Sequence, residues 1–195
     1  MKTLYLVRHG KASLDGDDLN RGLTPEGQDQ ANQLVLVLSK QQPQPSVVYS
    51  SPYQRAILSI KPYADSIGAK IKTHMDLREK KIATEPVDDI VAVRKQMYTD
   101  MNYRHSGGET GVEVQTRGMN IINHIIEEIN DGESILVASH GNFIGHVIKF
   151  FQPSFGYDDW KNMSMPDLFR IDYSDDHKGV VKHIGVEGIS TFKVK

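Results

Sequence analysis

The chain has 195 residues, with 23 Lys and Arg against 25 Asp and Glu and a formal net charge of −2. That length holds one sizeable core and is short for two, so residues 1–195 read as a single domain. The near-neutral balance gives no sign of a nucleic-acid or membrane surface, and the lack of cysteine excludes disulfides, thiolate nucleophiles and cysteine metal sites.

The N-terminal segment MKTLYLVRHG opens with an apolar run too brief for a signal peptide. No later run approaches the roughly 20 apolar residues of a membrane span. The expected compartment is the cytoplasm. Thr3 to Val7 predicts a buried strand, being short, continuous and rich in β-formers. Leu23-Thr24-Pro25-Glu26-Gly27 predicts a helix start, with Thr24 as N-cap, Pro25 first, and an end near Ser39. Gln41 to Pro45 is a turn, because its two prolines cannot extend a helix. Val47 to Tyr49 predicts a second strand. Ser51 is then expected to cap a helix with Pro52 at its first position and Arg55 in its first turns. Lys70 to His74 reads as a third strand.

Pro86 to Arg104 is expected to be helical, from the spacing of Ile90, Val91, Val93, Met97 and Met101. Thr110 to Asn130 carries a stronger amphipathic pattern in Val114, Met119, Ile121, Ile122, Ile125, Ile126 and Ile129. Asp131-Gly132 closes it, Ser134 to Ala138 predicts the central strand, and Asn142 to Phe151 a further helix ended by Pro153. Leu168 to Tyr173 and Val180 to Val186 predict an antiparallel hairpin joined by the SDDHKG turn. Strands alternating with helices predict an α/β fold: a three-layer sandwich whose mostly parallel central sheet is flanked by helices.

In open α/β sheets, ligands bind beyond the carboxyl ends of the strands. Arg8-His9, Ser51 to Arg55 and His140-Gly141 all fall just past predicted strand ends. The helices starting near Pro52 and Asn142 are expected to aim free N–H groups at the same crevice. Two arginines suit the forked, charge-assisted recognition of phosphoryl oxygens. Two histidines then divide two tasks: one attacks phosphorus and the other donates a hydrogen bond. An isolated His-Gly at a strand end is more often structural, but two of them with both arginines in frame point to phosphoryl transfer.

Arg8-His9-Gly10 after a strand, SSPYQRA around Arg55 and SHGN around His140 together resemble the signature of the histidine phosphatase superfamily, the phosphoglycerate-mutase-like fold. LTPEGQDQA at Leu23 to Ala31, GGETGVEVQTR at Gly107 to Arg117 and NMSMPDL at Asn162 to Leu168 extend the likeness in order, from Leu4 to about Ile171. The resemblance implies that His9 is the nucleophile that becomes phosphorylated. It implies that Arg8, Arg55 and His140 clamp the phosphoryl group, with Asn142 among the substrate-binding residues. Glu79, in DLREK, matches the position that supplies a general acid or base, and must begin protonated to release an alkoxide. Fixed cations replace a metal, so no metal and no cofactor are expected. The implied activity is phosphomonoester hydrolysis.

Two alternatives are kept: mutase-type phosphoryl transfer, and a non-catalytic phospho-ligand binding protein on the same scaffold. Asp15 stands six positions after His9, where the family often has asparagine, and would repel a second anionic group. The chain also lacks the basic cluster by which the mutases grip phosphoglycerates. The expected partner is a small phosphorylated molecule, with no nucleic acid and no membrane, and a homodimer is left open. Specificity is expected in Lys11 to Arg21 and Thr84 to Arg104. His74, His105, His124, His146, His177 and His183 are expected at the surface or in packing, and Lys80-Lys81 and Asp88-Asp89 on solvated faces. Met97 and Met101 are expected in the core; Tyr98 and Tyr103 are read as core residues or as a substrate lid.

Overall fold

The computed structural model describes residues 1–174, 178–186 and 192–193. Within them, six strands form one sheet in the order β3-β2-β4-β1-β6-β7. These are β1 (Lys2–Arg8), β2 (Val47–Ser50), β3 (Ile71–Thr73), β4 (Ser134–Ser139), β6 (Asp167–Tyr173) and β7 (Gly179–His183). The four strands from β3 to β1 run parallel, and β6 and β7 are antiparallel additions. Two further short strands, β5 (Ser164–Met165) and β8 (Phe192–Lys193), pair with each other.

Both faces of the central strands are covered, which explains their unbroken apolar runs. Leu4 and Leu6 of β1, with Ile135 and Val137 of β4, enter one core, whereas Tyr5, Val7, Leu136 and Ala138 enter the other. The first core holds α4 (Gly111–Ile126) and α5 (Gly141–Phe151); the second holds α1 (Pro25–Ser39) and α2 (Gln54–Ser66). This is the expected three-layer sandwich. No helix among the described residues is long and apolar enough to cross a membrane.

Helix α1 starts and stops where the sequence places it. Thr24 accepts a hydrogen bond from the Gly27 N–H at 3.0 Å, and Pro25 occupies the first turn, where its missing N–H costs nothing. Helix α4 begins with a reciprocal capping box between Thr110 and Glu113, and its predicted apolar stripe is buried. The expected helix over Pro86 to Arg104 is shorter, α3 spanning Ile90–Thr99 with Asp89 as its cap. Val93, Met97 and Tyr98 are its buried face, while Val91 is exposed. Helix α2 begins at Gln54 rather than Pro52, and Ser51 does not cap it. The Ser51 N–H is committed to the Ala138 carbonyl at 2.9 Å, so the chain continues the sheet before it can turn. A short polar helix, α6 (Tyr157–Asn162), has no counterpart in the sequence reading.

The predicted hairpin is β6 with β7, although β7 ends at His183 and not Val186. Of the SDDHKG turn, Asp175, Asp176 and His177 lie outside the described residues. His74 and His124 are exposed, and His183 pairs with the buried Asp167 at 2.7 Å. Tyr98 belongs to the core; Tyr103 is half-buried with its hydroxyl 3.2 Å from His105 Nδ1.

His146 is fully buried in α5, its ring stacked on Tyr98 with centroids 4.9 Å apart. Burial, reinforced by the nearby Lys80, Lys149 and Arg117 charges, lowers its pKa to about 3. An unfolded histidine takes up a proton near pH 6.5. The folded pKa lies below the unfolded one, so this contribution to stability is complete above that pH and is lost as pH falls. In denaturant titrations between pH 6 and 5, wild type should lose stability more steeply than His146→Phe, by about 1.4 kcal/mol per pH unit. Parallel slopes for the two proteins would show that His146 does not contribute.

Candidate active site

The pairing of the central strands continues one residue beyond their ends. The His9 N–H donates to the Ser139 carbonyl at 3.2 Å, and the Ser51 N–H to the Ala138 carbonyl at 2.9 Å. The tips of β2, β4 and β1 are thereby tied in a row, which brings Arg8, His9, Ser51 and His140 to one edge of the sheet. Arg55 joins them as the second residue of α2. All four predicted basic residues are buried: Arg8 is 5% exposed, His9 9%, Arg55 2% and His140 0%.

His9 Nδ1 lies 2.7 Å from the carbonyl oxygen of Gly10. A carbonyl only accepts, so Nδ1 carries the hydrogen and Nε2 keeps its lone pair. Burial lowers the ring's pKa to about 3; the Gly10 bond opposes this, while the Arg8, Arg55 and Arg21 charges add to it. The turn after His9 is braced from two helices. The Gly10 N–H donates to Ser59 Oγ at 2.8 Å, and the Lys11 N–H to Gln30 Oε1 at 2.9 Å. Gly27 lets the Lys11 carbonyl approach α1: a Cβ there would lie 2.1 Å from that oxygen. The LTPEGQDQA segment thus holds the histidine loop from below.

Arg8 is anchored at one end only. Its Nη1 donates to the carbonyls of Met163 at 2.9 Å and Ser164 at 3.4 Å, and its buried Nε has no protein partner. Arg55 repeats the arrangement. Its Nη1 donates to the Asp18 carbonyl at 2.6 Å and sits 3.1 Å from the Asp18 carboxylate, while its buried Nε is unpartnered. Burial lowers the pKa of both guanidinium groups, opposed mainly by Glu79 at Arg8 and by Asp18 at Arg55.

His140 Nε2 is 2.8 Å from Ser51 Oγ, and its buried Nδ1 has no protein partner. The ring meets His9 edge-on, with centroids 5.2 Å apart and planes at 67°. Burial holds the His140 pKa well below the ordinary histidine value, and the His9, Arg55, Arg117 and Arg21 charges act in the same direction. The pocket therefore combines two buried cations, two imidazoles and several N–H or ring-nitrogen positions unused by the protein. A buried polar group left unpaired is costly, and a tetrahedral oxyanion satisfies many such donors at once.

Glu79 reaches this pocket from the irregular segment after β3. Its carboxylate accepts from the Lys80 N–H at 2.8 Å, the Phe143 N–H at 3.1 Å, the Asn142 N–H at 3.3 Å and Asn142 Nδ2 at 3.4 Å. The first turn of α5 thus holds Glu79, a correction to the expectation that its N–H groups face a ligand directly. At α2 the Gln54 N–H is likewise taken, by the Leu19 carbonyl at 3.0 Å. Asn142 lies beside Glu79 with its Oδ1 unpartnered.

Two contributors escape sequence reading because they are a backbone carbonyl and a distant side chain: the Met163 carbonyl and Asp18. Trp160 is another, its buried Nε1 and Arg8 Cζ each 3.1 Å from where a Gly141 Cβ would stand. Lys80 corrects the expectation of a solvated face, being 3% exposed. Burial lowers its pKa to about 8 despite the attraction of Glu109 and Glu79. Asp15 is exposed, hydrogen-bonded to the Ser13 hydroxyl at 3.0 Å. Among the described residues, no group of three His, Cys, Asp or Glu is arranged to hold a metal ion.

Solved structures share this architecture across nearly the full chain. A mycobacterial glucosyl-3-phosphoglycerate phosphatase complexed with VO3 superposes with a TM-score of 0.77 at 18% identity, covering 93% of this chain and 97% of that one. A mutant phosphoserine phosphatase from Entamoeba histolytica, in complex with phosphoserine, gives 0.76 at 19% identity, covering 96% and 98%. Bacillus stearothermophilus YhfR gives 0.74 at 20% identity, covering 95% and 97%. At these identities the likeness establishes the fold. A search of curated protein sequences finds no significant match. The sequence profile of the histidine phosphatase superfamily (branch 1) matches residues 4–184, a span that contains every residue of the pocket described above. With profile, fold and pocket in agreement, the chain belongs to the histidine phosphatase superfamily.

Proposed function

We propose that this protein is a phosphomonoesterase that works through a phosphohistidine on His9. One observation carries the reading: a neutral imidazole, with its lone pair on Nε2, stands among two buried guanidinium groups that each keep an unpartnered Nε. His9 Nε2 attacks phosphorus as the bond to the leaving oxygen breaks, and Glu79 gives that oxygen its proton. Water then attacks the phosphohistidine, Glu79 takes a proton from it, and the N–P bond breaks to release inorganic phosphate. Arg8 and Arg55 stabilise the charge on the equatorial oxygens. With the Ser51 hydroxyl donating to Nε2 of His140, Nδ1 carries a hydrogen and adds a third donor.

The leaving group is expected in a cavity of about 430 Å³ lined by Asp18, Lys81, Ile82, Glu85, Val87 and Ile90, among others. It adjoins Arg55 through Asp18 and draws on both segments expected to set specificity. Its lining mixes Lys80 and Lys81 with the Asp18 and Glu85 carboxylates and with apolar side chains, which suits a small leaving group that has both polar and apolar parts. Membership of a phosphatase family, with the nucleophile and both arginines present, supports an enzyme over a non-catalytic binder.

Rapid quenching with labelled substrate should trap a phosphoenzyme that is acid-labile and comparatively base-stable, as a phosphorus–nitrogen bond is. Label retained in His9→Ala would refute the assignment. Arg55→Ala should lower kcat/KM by about 10²-fold or more, because it removes a preorganised charge-stabilising donor. EDTA should leave activity unchanged, since the guanidinium groups already supply the positive field; loss on chelation, restored by a divalent cation, contradicts this account. Glu79→Gln should slow glycerol 2-phosphate roughly 10²-fold more than nitrophenyl phosphate, whose phenolate leaves without a proton. Equal slowing of both substrates would remove Glu79 from the acid role.

A further inference from the structure

Arg117 of α4 lies outside the phosphoryl pocket, yet it controls the segment that carries Glu79. It has five N–H donors, and all five are used. Nε and one Nη2 hydrogen grip the Glu109 carboxylate side-on, at 2.9 and 3.0 Å. The other three go to main-chain carbonyls: Nη1 to Asp76 at 2.7 Å and Arg78 at 3.0 Å, and Nη2 to Glu79 itself at 3.4 Å. Leu77, the remaining carbonyl of that run, is taken by Ser139 Oγ at 2.7 Å, from the tip of β4. Four consecutive carbonyls, from Asp76 to Glu79, are therefore fixed by two side chains.

Glu109 completes the frame. Besides Arg117 it accepts from Arg78 Nη2 at 2.7 Å and from the Lys81 N–H at 2.9 Å, so it clasps the chain on both sides of Glu79. Its own N–H donates to the Lys81 carbonyl at 2.7 Å. Burial alone would raise the Glu109 pKa; Arg117, the Lys81 N–H and Arg78 outweigh it and hold the pKa below the usual value. Arg117 and Glu109 are only 11% and 14% exposed, so the pair is little screened by solvent. The guanidinium carbon of Arg117 also lies 5.4 Å from the centre of the Phe143 ring, and the Phe143 N–H is one of the donors to Glu79. Arg117 thus braces Glu79 through its backbone and through the helix turn that orients its carboxylate.

We propose that Arg117, anchored by Glu109, is a positioning residue for proton transfer by Glu79, and that it acts on the leaving-group step rather than on phosphate capture. This rests on the acid role given to Glu79 above. Segment 78–80 is neither helix nor strand, so nothing in a regular ladder fixes it. A displacement on the order of 1 Å of a proton donor costs about 10²-fold in rate.

The test compares Arg117→Ala, Arg117→Lys, Glu79→Gln and the Arg117→Ala/Glu79→Gln double variant on glycerol 2-phosphate and nitrophenyl phosphate. Arg117→Ala should slow glycerol 2-phosphate about 10²-fold more than nitrophenyl phosphate, as Glu79→Gln does, and the double variant should be little slower than either. Arg117→Lys should fall between wild type and Arg117→Ala, since one ammonium cannot serve three carbonyls and a carboxylate. If Arg117→Ala does not fold, the lysine variant carries the same comparison, with turnover of nitrophenyl phosphate as proof of folding. Equal slowing of both substrates by the Arg117 variants, while Glu79→Gln still discriminates, overturns the positioning role and leaves the acid role intact. Effects that multiply in the double variant also overturn it. Loss of discrimination in Glu79→Gln itself removes the acid role, and the proposal with it.

Discussion

The parallel pairing of β2, β4 and β1 is the constraint from which the pocket follows. It extends past the strands through two hydrogen bonds, His9 to Ser139 and Ser51 to Ala138. Those bonds fix the spacing of three chain tips before any side chain is placed. They also delay the start of α2, because a residue cannot both extend a ladder and begin a helix. Arg8, His9, Ser51 and His140 then come together through backbone geometry, and no side-chain contact has to draw them in against their charges.

Around that row, each charged or titratable group is held at one end and left unpaired at the other. Arg8 is anchored to carbonyls, Arg55 to Asp18, His9 to the Gly10 carbonyl and His140 to the Ser51 hydroxyl. Such anchoring reduces the entropy that a ligand would otherwise have to remove from long side chains. Carbonyl anchors suit this purpose because they orient a cation without neutralising it. The Met163 and Ser164 carbonyls do this for Arg8.

Much of this architecture was legible in the amino-acid order. Strands β1 and β4 announce themselves as unbroken apolar runs because both their faces are buried, α1 through its Thr24-Pro25 start, and α4 through its apolar stripe. Arg8, His9 and His140 were readable because each lies at or just past the end of such a strand, and Arg55 because the SSPYQRA segment follows β2. What was not legible has a common cause. The carbonyls that hold Arg8 and Arg117 belong to residues whose letters say nothing about their backbone oxygen. Lys80 looks like one of a solvated pair, and only tertiary packing buries it. Helix α6 is too short and polar for any period to emerge. Gly27 is the intermediate case: its place in a motif was visible, but the reason, a 2.1 Å clash with Lys11, needs coordinates.

The contact between Asp18 and Arg55 carries a further meaning. Asp18 is 59% exposed and also holds Arg21 at 2.8 Å, so one surface carboxylate spans two arginines at the edge of the pocket. An anion arriving at Nη1 of Arg55 therefore enters a competition with a carboxylate tethered to the same chain. A tethered rival is always at hand, and it weakens apparent affinity for every anion in proportion to its own occupancy. A site built from buried cations is in danger of becoming a trap for free phosphate, and an internal competitor is a simple way to keep it reversible.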